Sequence, residues 1–414
     1  MENRFSKLEK ASHPFWIIYI FSGRSPVLAL VLLTILVFSA CQKEEDSPLT
    51  EPLYLVEAKL IAEYTTSEII DILDETGYIP EAVSFHLAKY DIAVYRLIYN
   101  TTDTGGGEIL ASGALIVPKG ADPLPLLSFQ HGTLSSDEDA PSNFSSAEYF
   151  ASALYSSSGY VIALPDYLGY GISKQIEHPY QHGSSLATAS RDMLRAVREF
   201  DIMNGEFKTN DKLFLTGYSE GGYATVSLMK LLEEQHGDEF AITAVTAGAG
   251  AYNKSLFAIY IMETERDLVY LNHFLWVLDT YNQIYGLNRP YSYFFNEPYS
   301  SIIKEGGVFA NTQLNPHTLF SDNFRAGIIE GTDTELIDIL ADNDRYNWKP
   351  QSPLQLYHGT ADDFVFYFNS ETAHEAMVAN GAAHVELVAV EGGDHVSTLF
   401  SYLTGTLLFF SSYQ

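Results

Sequence analysis

A short apolar run, Lys212 to Thr216, leads straight into Gly217-Tyr218-Ser219-Glu220-Gly221, and the next thirteen residues, Gly222 to Glu234, carry apolar side chains at helical spacing. A strand that turns into a helix over so few residues crowds its own backbone. Small residues must flank the turn, and a Ser at its tip is held out from the chain. That is the position a serine nucleophile needs, and a strand feeding directly into a helix is the unit of a parallel sheet.

The rest of the chain keeps the same rhythm. Ser67 to Glu75 reads as a helix. Ile92 to Tyr99 and Ile109 to Val117 read as strands joined through Gly105-Gly106-Gly107. Leu124 to Phe129, Tyr160 to Leu164, Ile242 to Ala247, Leu354 to Tyr357 and Val385 to Val390 are further short strands. Ser146 to Ser156, Leu186 to Phe200, Ala373 to Asn380 and Val396 to Phe410 are helices. An opening antiparallel pair followed by this alternation predicts an α/β fold: a mostly parallel central sheet with helices on both faces. The alternation stops between Tyr252 and Trp348. Residues 55–251 and 349–414 are therefore expected to form the core, and residues 252–348 an inserted helical cap. No repeat of 20–50 residues is present.

A serine nucleophile needs a base and a group that orients the base. Two strand ends offer them. Leu354 to Tyr357 runs into His358-Gly359-Thr360-Ala361-Asp362-Asp363, and Val385 to Val390 runs into Gly392-Gly393-Asp394-His395. Glycines before His395 let its ring reach over the sheet edge. His384 precedes its strand and so lies at the wrong end of the sheet, while His358 precedes the acid. Either Asp362 or Asp363 can serve as the acid.

The order HGT (131–133), PDYLGYG (165–171), GYSEGG (217–222), HGTADDFV (358–365) and GGDH (392–395) resembles the α/β-hydrolase superfamily over about residues 85–412. Within it, the chain is most similar to the secretory lipases, a family of fungi with bacterial relatives. The resemblance implies the α/β-hydrolase fold, with Ser219 as nucleophile and His395 as base. Asp362, three residues after Gly359, is implied as the acid. It also implies an oxyanion hole made by the backbone N–H of Glu220 and one from the loop after the third strand, Thr133 first and Gly132 next. The Glu220 side chain is expected to start the following helix and complement its dipole. In PDYLGYG, Asp166 is expected to hold the loop, with Tyr167 open to a substrate contact.

Composition narrows the partners. Lys and Arg number 23 against 53 Asp and Glu, a net charge of −30, which repels nucleic acid and anionic lipid surfaces. The single Cys allows no intrachain disulfide and no Cys-based zinc site, and the 12 His form no HExxH pattern, so no metal or cofactor is expected. That Cys, Cys41, follows twelve uncharged residues, Val27 to Phe38, and the small pair Ser39-Ala40. Twelve is too few to span a bilayer, which takes about 20, but fits a signal peptide. Residues 1–40 resemble a bacterial lipoprotein signal, which implies lipidation of Cys41 and a tether over residues 41–54. CQKEED resembles the acidic tag that sends some Bacteroidetes lipoproteins to the cell surface. The expectation is an exported protein whose membrane contact is one lipid anchor, on the outer membrane or cell surface. Residues 41–414 keep 19 basic and 51 acidic side chains, so the acidity belongs to the exported part.

Thirteen of the 48 residues from Tyr252 to Tyr299 are aromatic, about twice the chain-wide 14%. An aromatic cap over a serine site suits acyl chains better than sugars or charged peptides, with Trp276 and Phe294 expected to wall the chain. The sequence thus reads as a lipase or carboxylesterase acting on a small-molecule ester or lipid. A serine peptidase on the same fold is the alternative, with Glu263, Glu265 and Asp267 available to hold a free amino terminus. A third reading is a surface binding protein without catalysis, against which the intact Ser, Asp and His stand.

Overall fold

The computed structural model describes residues 52–76, 81–120, 123–144, 147–205 and 207–414. The signal segment 1–40, Cys41 and the tether up to Glu51 lie outside the described residues. The first three strands are β1 (Leu55–Tyr64), β2 (Ile92–Thr102) and β3 (Glu108–Pro118). They are followed by β4 (Leu124–Gln130), β5 (Val161–Pro165), β6 (Thr209–Tyr218), β7 (Ile242–Gly248), β8 (Leu354–Gly359) and β9 (Val385–Val390). All nine make one sheet in the order β1-β2-β3-β5-β4-β6-β7-β8-β9. β1, β2, β3 and β5 pair antiparallel, and every pairing from β5 through β4 to β9 is parallel. In the middle of the sheet, every residue of β4 and β5 is buried, as expected of strands covered on both faces. At its two edges, β1 and β9 are only partly covered.

Helices α1 (Thr66–Thr76), α2 (Glu81–Leu87), α3 (Ala147–Ser157), α4 (Gly183–Asn204) and α5 (Glu220–Gln235) connect the first seven strands. Between β7 and β8 run seven more: α6 (Lys254–Glu263), α7 (Leu271–Ile284), α8 (Tyr291–Phe294), α9 (Tyr299–Gly306), α10 (Pro316–Leu319), α11 (Asp322–Ile329) and α12 (Thr334–Asp342). The chain closes with α13 (Phe368–Ala379) and α14 (Thr398–Ser411). Two cores follow from the two sheet faces. Leu186, Met193 and Val197 of α4 pack with Val226 of α5 and Met377 of α13 on one face. Ile69 and Leu73 of α1 pack with Leu154 of α3 and Tyr402 of α14 on the other. A third core, with Phe257, Leu271, Phe294, Phe320 and Phe324, belongs to the helices between β7 and β8. Burying one such ring contributes about 1.5–3 kcal/mol, so this layer has the means to hold its own shape.

The chain enters the domain under restraint. The backbone N–H groups of Leu53, Tyr54 and Leu55 all donate to the Glu199 carboxylate of α4, at 2.9, 2.9 and 2.7 Å. No helix among the described residues is long and apolar enough to cross a membrane.

Candidate active site

Ser219 stands between β6 and α5 with φ 61° and ψ −121°, a left-handed backbone that a non-glycine residue adopts only under strain. Packing enforces it. A Cβ on Gly217 would lie 2.4 Å from the Gly221 carbonyl oxygen, and one on Gly221 would lie 2.1 Å from that of Gln130. The elbow is thus pressed against the end of β4, and only glycine fits at either flank. The Ser219 N–H donates to the Gly248 carbonyl at the end of β7, 2.8 Å away.

The ends of β8 and β9 bring two partners to this Ser. His395 Nδ1 faces Asp362 Oδ2 at 2.7 Å, which places the ring proton on Nδ1. Nε2 is then left to accept from Ser219 Oγ–H at 2.9 Å. Asp362 is fixed in turn, because its Oδ1 accepts from the N–H groups of Phe364 and Val365, both at 2.9 Å. Burial raises the Asp362 pKa, but hydrogen bonds and charge from His358 and His395 outweigh it and bring the value down to about 2. Asp363 points into solvent, so of the two adjacent acids the structure brings only Asp362 to the histidine. His358 is fully buried, between Ser370 Oγ (2.7 Å) and the Val365 carbonyl (2.6 Å). Asp394 closes the turn before α14, accepting from Val396 and Ser397 N–H at 3.0 and 2.7 Å, and so sets where His395 leaves the chain.

The loop after β4 reaches the same elbow. Gly132 is buried and Thr133 half-buried, with Thr133 Oγ1 3.0 Å from the Tyr180 hydroxyl. Glu220 is the first residue of α5, and its N–H has no acceptor within the helix. Asp166 holds the neighbouring loop, accepting from Ser142 N–H at 2.8 Å and Ser112 Oγ–H at 2.6 Å, and burial raises its pKa. One side-chain expectation fails here. Tyr167 is fully buried, its hydroxyl donating to the His131 carbonyl at 3.2 Å, and it does not reach the cavity described next. Glu220 does open α5 as expected, and its side chain is buried. Its Oε1 accepts from His178 Nε2 at 3.0 Å and from Gln181 N–H at 3.3 Å.

Ser219 opens on a cavity of about 840 Å³, counting its mouth to solvent. Its walls come chiefly from α6, α7, α11 and α12, among them Phe257, Phe274, Leu278, Phe324 and Leu340, with Phe364 beside His395. Trp276 and Phe294 are not in the walls. Trp276 stacks on Tyr180 at 4.1 Å, and Phe294 is buried inside the helical layer against Phe324. Rings of both kinds occur at helical spacing, and the spacing does not say which side of a helix meets a cavity and which meets another helix. Glu263, Glu265 and Asp267 are exposed and line no part of the cavity.

Four polar wall residues escaped the sequence reading: Tyr180, Gln181, Lys254 and His273. One signal was available. Lys254 follows the C-terminal end of β7, and ligands of parallel sheets gather at that end of the strands. Among the described residues, no group of His, Cys, Asp and Glu is placed to hold a metal ion.

No family model matches the chain, and no curated protein matches it. Solved structures do. A "putative hydrolase" from Legionella pneumophila is 27% identical with a TM-score of 0.77, covering 87% of this chain and 98% of its own. The rice cell wall degrading esterase LipA from Xanthomonas oryzae is 21% identical with a TM-score of 0.75, covering 88% and 100%. Candida antarctica lipase A in its closed state is 17% identical with a TM-score of 0.62, covering 89% and 85%. The fold shared with these proteins, and the nine-stranded sheet itself, are those of the α/β-hydrolases.

Proposed function

We propose that this α/β-hydrolase cleaves carboxylic esters through a serine acyl-enzyme, acting as a lipase or carboxylesterase. The observation that carries the reading is the unbroken line of hydrogen bonds from Ser219 through His395 to Asp362, set at the opening of an apolar cavity. His395 Nε2 takes the Ser219 proton as Oγ attacks the ester carbonyl, and Asp362 stabilises the imidazolium that results. The charge that grows on the carbonyl oxygen is met by backbone N–H groups, that of Glu220 and one from Thr133 or Gly132. His395 then returns the proton to the leaving alcohol, and water releases the acid by the same steps in reverse. The cavity takes the acyl chain, where each buried methylene contributes about 0.8 kcal/mol.

The names of two structural neighbours, an esterase and a lipase, favour ester over peptide. So does the solvent exposure of Glu263, Glu265 and Asp267, which leaves the cavity without the acidic group a free amino terminus would need. The protein works outside the cell, anchored by lipid on Cys41; the support is the sequence pattern around that residue. The decisive experiment compares p-nitrophenyl esters with aminoacyl-nitroanilides, alongside labelling by a fluorophosphonate probe. We expect ester turnover and labelling, both abolished in Ser219→Ala. Labelling that survives in that variant moves the nucleophile elsewhere, and turnover confined to the anilides replaces the esterase with a peptidase.

A further inference from the structure

Lys254, the first residue of α6, contributes to the wall of the cavity and is only 4% exposed. Its ammonium donates to the side-chain oxygen of Gln181 and stands 3.8 Å from the centre of the Tyr223 ring. An ammonium has three N–H donors, and in a dry wall each one left without an acceptor is costly. Of the neighbouring carboxylates, Asp344 is engaged elsewhere, and Glu220 is engaged through one oxygen while its buried Oε2 has no hydrogen-bond partner among the described residues. Asp344 holds Ser255 through N–H (3.1 Å) and Oγ–H (2.7 Å), and Glu220 Oε1 serves His178 and Gln181. Burial depresses the Lys254 pKa; the charges of Glu220 and Asp344 oppose that shift, and Arg345 adds to it.

Its acceptor is held with unusual care. Gln181 has φ 59°, the left-handed region that a non-glycine side chain rarely adopts. Three groups pin it there. The Tyr281 hydroxyl donates to its carbonyl at 2.7 Å, its N–H donates to Glu220, and Lys254 holds its side chain. Strain kept in place by several partners is found where a site needs one arrangement and no other. Gln181 and Ser219 line the same cavity, so this pair faces whatever Ser219 acylates with.

We propose that Lys254 and Gln181 form a polar subsite within the acyl cavity, selecting acyl groups that carry a neutral oxygen acceptor along the chain over plain alkyl groups of equal length. The inference rests on the reading that this cavity receives the acyl group of an ester. A neutral acceptor is specified because Glu220 and Asp344 already supply two carboxylates around one lysine and one arginine. A third buried anion would face them and a chain of net charge −30.

The test is a series of p-nitrophenyl octanoate analogues in which one methylene, from carbon 4 to carbon 7, is replaced by an ether oxygen. In a purely apolar cavity each ether lowers kcat/KM relative to octanoate. The wild-type protein should show at least one position where the ether is the better substrate. In Lys254→Met that ratio should fall about tenfold, the size of one lost hydrogen bond. Gln181→Leu should move it the same way. A wild-type series in which octanoate beats every ether overturns the subsite, as does a Lys254→Met ratio equal to wild type. Should Lys254→Met not fold, the wild-type series and Gln181→Leu decide. Preference for a terminal carboxylate over every ether overturns the neutral acceptor. Fluorophosphonate labelling with no turnover of any ester is a different failure, that of the esterase reading.

Discussion

Asp362 and Asp363 are adjacent in the chain, yet one is buried against His395 and the other is in water. Asp362→Asn should lower kcat/KM for an ester by about 10³–10⁴-fold, because the amide can no longer hold the ring proton on Nδ1. Asp363→Asn should stay within about twofold, and steady-state kinetics on one ester separate them. The same carboxylate links stability to pH. Its folded pKa, about 2, lies below that of an ordinary aspartate, so its contribution is complete above about pH 4 and disappears as pH falls toward 2. Urea unfolding from pH 5 to pH 2 should show a loss of about 2 kcal/mol in wild type that Asp362→Asn lacks. Ser219, Asp362 and His395 were legible in sequence because each sits in a short motif at a strand end. Lys254 and Gln181 were not, since 73 residues separate them and neither stands in a motif. Their pairing exists only once α6 is folded over the start of α4.

At the scale of elements, alternation located β2 to β9 and the helices that cover them, because a strand buried on both faces leaves an apolar run no surface helix has. β1 escaped. Leu55–Tyr64 is rich in Leu, Ala, Glu and Lys, which favour helix, and only pairing with β2 makes it a strand. The aromatic density between β7 and β8 marked a helical layer but not its inner wall. Selectivity for the acyl chain should therefore answer to α6, α7 and α11. We expect kcat/KM to rise from acetyl to hexanoyl esters by up to about 10²-fold, the worth of four buried methylenes before ordering costs. Leu278→Trp, which fills the cavity, should flatten that rise, lowering hexanoyl turnover more than acetyl. A parent enzyme that prefers acetyl to every longer ester would assign the cavity to something other than acyl chains.

For the whole molecule, the expected lipid anchor makes a separable claim. Cys41→Ser should be exported and then washed free of membranes in a fractionation where the parent is retained; a variant as firmly bound as the parent would mean an uncleaved N-terminal anchor. The clamp of Glu199 on Leu53, Tyr54 and Leu55 fixes where the chain enters the domain. Glu199 stands sixteen residues along α4 from Gly183, about 24 Å at 1.5 Å per residue, and Gly183 follows the cavity wall at Gln181 by two positions. The clamp on Leu53 to Leu55 and the Gln181 wall of the cavity therefore lie toward opposite ends of α4. A pull on the chain before Leu53 is thus borne first by Glu199, at the end of α4 remote from Gln181, and the strained wall of the cavity is spared it.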